Sequence, residues 1–182
     1  MKSASLFALT VFSILLSPTF VDAQKGWKSY TVVDEYSFQY PSNWKLEQKE
    51  NRFTSIDARL EYGNKVVRMA FGGGIDEKLA AQSDDQTLER LQEIMEQKGN
   101  IFESGIDKQM ANNGTAPYVI GTYSTKSLFG KSFSMVELLT SVRLPNNEIV
   151  IVEYHAEEND FDKYLPKVKQ VINSITPIGA GE

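Results

Sequence analysis

SFSMVELLTSVRLPNNEIVIVEYHA, residues 132 to 156, decides the fold. Two runs rich in β-formers flank Pro145-Asn146-Asn147, which reads as the turn of a hairpin joining Ser132–Leu144 to Glu148–Ala156. Val136, Leu138, Val142 and Leu144 alternate with Met135 and Leu139, and Val150, Ile151 and Val152 run without a break. Strands apolar on both sides are covered on both sides, and so lie in the middle of their sheet. Pairing Leu144 with Glu148 sets His155 opposite Glu137 and Glu153 opposite Leu139. The alternative register, Pro145 opposite Glu148, separates Glu137 from His155.

Upstream, Ala116–Lys126 reads as another strand and Phe102–Met110 as a weaker one. Asp84–Lys98 has the period of a helix, with Leu88, Leu91, Ile94 and Met95 on its buried stripe. Ser83 with Gln86 forms a capping box, and Gly99 stops the helix. Gly63-Asn64 reads as a two-residue hairpin turn pairing Tyr62 with Lys65. Leu60 then faces Val67, Ala58 faces Met69, and Ile56 faces Phe71. The opposite face carries Asp57, Arg59, Glu61 and Arg68 and reads as solvated. Gly72-Gly73-Gly74 lacks a following Lys-Ser or Lys-Thr, so it reads as a mobile turn or bulge, not a phosphate loop. Tyr36–Tyr40 is a short strand. Asp160–Leu165 reads as a single turn, with Pro166 opening the last helix, which ends near Ser174. The expected class is α+β, an antiparallel β-sheet sandwiched by helices.

Residues 1–23 read as a cleavable export signal. Lys2 gives the positive start, Ala4 to Leu16 the apolar run, Pro18 a helix stop and Val21-Asp22-Ala23 the small-residue cleavage site. Thirteen residues rise about 20 Å as a helix, too little for a bilayer core of roughly 30 Å. Cleavage leaves 24–182 as a single domain with no transmembrane span. The chain has no cysteine, which excludes disulfides, thiol chemistry and lipid attachment at the cleavage point. A net charge of −5 without a basic cluster argues against nucleic acid as a partner. Asn113-Gly114-Thr115 is a glycosylation sequon in a stretch that reads as a turn.

Dense catalytic signatures are missing. There is no Gly-x-Ser-x-Gly, and a triad would need the single histidine, His155, in mid-strand. The acidic run Glu157 to Asp162 lacks the alternating ligands and glycine of a calcium loop; it suits a helix N-terminus instead. One constellation stands out. In the favoured register Glu137, Glu153, His155 and Arg143 share a sheet face, and Glu137 is an acid among apolar neighbours. A carboxylate beside an imidazole can form a buried ion pair, hold a cation or move protons. No spacing specifies a metal, so no cofactor and no catalytic residue is assigned.

YSFQYPSNW (Tyr36 to Trp44) and NDFDKYLPKVKQVINSI (Asn159 to Ile175) together resemble the PsbP family, extrinsic proteins of the oxygen-evolving photosystem and their relatives. The matching positions are Phe38, Pro41, Trp44, Tyr164, Leu165, Pro166, Asn173 and Ser174. The resemblance implies an α-β-α sandwich, and its motifs are packing motifs. A simple export signal replaces the family's thylakoid targeting, and the long N-terminal docking arm is absent. The function expected is therefore an exported, non-catalytic PsbP-like accessory domain docking on a membrane or extracellular complex. The alternative is a small-ligand or cation-binding module on the Glu137, Glu153 and His155 face.

Overall fold

A computed structural model describes residues 25–178, apart from 33–34, 49–52, 62–63, 75–80, 112–113, 127–128 and 146. The leader, Gly63 and the sequon Asn113 lie outside the described residues. Strands β1 (Trp27–Val32), β2 (Tyr36–Pro41), β3 (Lys45–Gln48), β4 (Phe53–Glu61) and β5 (Asn64–Gly74) lead into helix α1 (Asp84–Lys98). Then follow β6 (Asn100–Asp107), β7 (Ala116–Lys126), β8 (Ser132–Arg143), β9 (Ile149–Glu157), helix α2 (Glu158–Asn173) and β10 (Thr176–Pro177). Seven strands form one antiparallel sheet in the order β3-β4-β5-β9-β8-β7-β6. β1, β2 and β10 form a small second sheet.

The hairpin from Ser132 to Glu157 supplies two strands from the middle of the large sheet, as its two apolar faces require. Leu144 N–H donates to the Glu148 carbonyl at 2.8 Å, and Glu137 pairs with His155 and Leu139 with Glu153. Asn147 takes φ 65° to close the turn, a conformation that Asn tolerates better than most residues. One face carries Val67, Met69, Phe71, Val136, Leu138, Val152 and Tyr154. It packs under α2 and the small sheet in a single core. Phe38 stacks on Phe71 with ring centroids 4.3 Å apart, and Trp44 meets Tyr164 edge-on. Both resemblance motifs thus meet across this core. The second face is roofed only in part: Leu91 and Met95 of α1 bury Val119 and Leu139. Helices flank sheets on both sides, so the α-β-α sandwich holds.

Four expectations need correction. The β4–β5 hairpin pairs Glu61 with Asn64 and Ile56 with Met69, two residues from the expected register, with irregularities beside Arg59. A slip of two keeps every side chain on its face, so the apolar pattern cannot tell the two registers apart. Asp57 is not solvated; it is 4% exposed, with Lys65 and Arg68 beside it. Gly72, Gly73 and Gly74 are strand residues paired with Ile151, Val150 and Ile149, because a central neighbour supplies a ladder for them. Pro166 sits inside a continuous helix. It lies on the exposed side, where water can satisfy the carbonyl that its missing N–H leaves free.

The capping box at Ser83 and Gln86 and the stop at Gly99 are present. The acidic run opens α2, and Arg59 bridges Glu157 and Asp160. Ile178 donates its N–H to the Glu35 carbonyl at 3.1 Å; residues 179–182 lie outside the described residues.

Candidate functional site

Cross-strand pairing lays Asp57, Arg68, His155, Glu137 and Gly121 in one row over β4, β5, β9, β8 and β7. Four of these five are ionisable and lie beyond the edge of the α1 roof. The helix reaches them by its last turn. A Cβ on Gly99 would stand 1.9 Å from the Thr122 carbonyl oxygen, and one on Gly121 would stand 2.8 Å from Met95. Only glycine at both positions lets the end of α1 lie this close to β7. That approach delivers Lys98 to Glu137, at 2.8 Å.

Glu137 is fully buried. Its Oε1 accepts from Lys98, while its Oε2 is buried without a hydrogen-bond partner. His155 Nδ1 is 3.7 Å from that Oε2, and its Nε2 is 3.4 Å from Glu153 Oε2. Lys98 also reaches Glu153, at 3.7 Å. Donor atoms of Glu137, Glu153 and His155 all lie within 4.8 Å of one another. Arg143, expected on this face, points its guanidinium elsewhere, donating to the Gln82 carbonyl at 2.7 Å.

The electrostatics follow from this packing. A bond from His155 and the charge of Lys98 hold the Glu153 carboxyl below its ordinary range, against the opposing effect of burial. Burial pulls the Lys98 ammonium down, but Glu137 and Glu153 together outweigh it and raise the pKa. Burial, with Glu137 and Glu153 close by, pushes the Tyr123 phenol up, so its hydroxyl stays protonated. That hydroxyl lies 2.9 Å from His155 Nδ1. The cluster therefore holds two carboxylates, one ammonium and an orientable imidazole. It can take up a proton or a cation at the unpartnered oxygen.

Sequence reasoning placed Glu137, Glu153 and His155 together but missed Lys98, Tyr123 and Arg68. Tyr123 shares the parity of Gly121 along β7, so pairing β7 with β8 would have exposed it. Lys98 carried no such signal, because its arrival depends on how the helix docks.

Against solved structures, the chain is similar to cyanobacterial PsbP (CyanoP) from Synechocystis sp. PCC 6803. The TM-score is 0.51 at 11% identity, over 89% of this chain and 98% of that one. It thus has a PsbP-like fold. LpqN, described as involved in cell envelope biogenesis of Mycobacterium tuberculosis, aligns with a TM-score of 0.48 at 10% identity, over 78% of this chain and 82% of that one. No family profile and no curated protein matches the chain. Among the described residues no helix is long and apolar enough to cross a membrane.

Proposed function

We propose that this chain is an exported, non-catalytic PsbP-like domain that binds a divalent cation through Glu137, Glu153 and His155. The observation that carries the reading is Glu137 Oε2, buried without a hydrogen-bond partner inside a group of three donors. Burying a carboxylate oxygen unpaired is costly, and a cation there would repay it. One imidazole and two carboxylates suit zinc or manganese better than calcium, which prefers more oxygen ligands. Three protein ligands leave a position for water. With Nε2 turned to the metal, Nδ1–H would donate to the Tyr123 hydroxyl and fix the ring, a common outer contact of metal-bound histidines.

The charge balance supports the same reading. With a neutral imidazole, Glu137, Glu153 and Lys98 leave one net negative charge, which a dication overturns. Affinity should therefore rise with pH, since metal displaces protons from its ligands. The leader at 1–23 supports export, and docking on a membrane or extracellular complex is a role such a domain could serve once loaded.

Thermal unfolding against zinc, manganese, calcium and magnesium tests the reading. Zinc or manganese should raise the midpoint, calcium and magnesium should not, and Glu137→Ala with His155→Ala should abolish the shift. A flat panel for the unsubstituted protein, or a shift that survives the double substitution, sinks it.

A further inference from the structure

Beyond the Glu137 cluster, on the same sheet face, lies a hollow of about 380 Å³ lined by Lys65, Val66, Arg68, Tyr123, Thr125, Lys126, Phe133, Met135 and His155. Three of these nine side chains are cationic and none is acidic. The floor is apolar: Val66, Phe133 and Met135 are buried. The hollow is at the small end of the range for metabolite sites, about 300–1,000 Å³. An apolar floor with a cationic rim matches a ligand with a short hydrocarbon body and an anionic head.

The cations are held from behind. Asp57, whose side chain is 1% exposed, lies 3.0 Å from Lys65 and 3.8 Å from Arg68 Nε. Glu47 also reaches Lys65. These two carboxylates are not part of the lining, and neither reaches Lys126. With Lys65 and Arg68 paired from behind, the rim suits a singly charged head. Arg68 Nε is buried on the Asp57 side, so the guanidinium is held by the charge of that carboxylate at its Nε edge. Arg favours two-pronged bonds to carboxylates.

We infer that this hollow binds a small monocarboxylate with an apolar body, its head on Arg68 and Lys126 and its body on Phe133 and Met135. The site shares His155 with the proposed cation cluster but uses neither Glu137 nor Glu153.

Isothermal titration of the purified protein with hexanoate and benzoate tests it, with hexanol and benzyl alcohol as uncharged counterparts. Saturable binding of an acid but not of its alcohol is expected. Lys126→Gln, at an exposed site, should weaken binding several-fold, and Arg68→Gln by about tenfold, the loss of a two-pronged charged contact. Should Arg68→Gln fail to fold, Lys126→Gln and a weakening with added salt carry the test. Glu137→Gln should leave hexanoate binding intact while removing the metal response, so the two readings can fail separately. No saturable binding of either acid, equal binding of acid and alcohol, or indifference to Lys126→Gln would each overturn the inference. So would binding confined to inorganic phosphate.

Discussion

The two faces of the seven-stranded sheet are built on different terms. One is covered by α2 and the small sheet and is filled with aromatic and aliphatic side chains, Tyr36, Phe38, Phe71 and Tyr154 among them. The other is roofed by α1 over β6 to β8 and carries the row of charges where that roof gives out. The first face stabilises by removing apolar area from water. The second spends burial on Glu137, a group that apolar burial penalises. A protein selected for stability alone has no need of a fully buried acid with an unpartnered oxygen. The difference is the reason the proposed cation site is placed on the second face.

Phe71→Ala is the strongest way to break that comparison. The ring is fully buried and stacked on Phe38, so its loss should cost about 3–5 kcal/mol by chemical denaturation. Tyr123→Phe, on the other face, removes one hydroxyl and should cost about 0.5–1.5 kcal/mol. Equal costs would show that both faces carry the fold alike.

Gly99→Ala comes next. The new methyl would meet backbone, the Thr122 carbonyl, which cannot swing aside as a side chain can. Overpacking of this kind costs about 1–3 kcal/mol, and the end of α1 must lift to accommodate it. Lys98 should leave Glu137 as a result, visible as a change in the amide and side-chain shifts of His155. A stable Gly99→Ala protein with those shifts unchanged would show that the close approach does not place Lys98.

How much of this was readable beforehand differs between the faces for a physical reason. The β8–β9 register was legible because a short turn and two apolar faces constrain it together, and Glu137 came with it. The β4–β5 register was not, since period two is blind to a slip of two residues. Asp57 looked solvated because its burial depends on Lys65 and Arg68 folding over it, side chains on a neighbouring strand. Pro166 looked like a helix start because propensity cannot see that its side of α2 faces water. Lys98 was illegible altogether: local pattern gave its helix, but only docking gave its target. Thus the apolar face could be read from alternation, and the charged face only in part.

Lys98→Met sharpens the contrast from the opposite direction. It removes the cation that neutralises Glu137, so the free protein should lose about 1–3 kcal/mol, less than for a fully buried pair because Lys98 is partly exposed. Divalent metal should bind more tightly, by about tenfold, because a competing positive charge is gone. Stability and affinity moving in opposite directions is the signature of a site. If both fall, Lys98 is a structural partner and the cluster an ordinary ion pair.

The smallest effect is the pH profile of the cluster, and its sign follows from two shifted groups. Glu153 is held below its ordinary 4.5, so its stabilising contribution is present above that value and is lost as pH falls through the lowered one. Lys98 is raised above its ordinary 10.5, so its contribution is present below that value and is lost as pH rises through the raised one. The difference in urea midpoint between the unsubstituted protein and Glu153→Gln should therefore shrink as the solution is made more acid than about pH 4.5. Partial exposure of Glu153 and added salt both make that difference small. A difference that stayed constant through that acid range would mean that Glu153 is not held as a carboxylate by its partners.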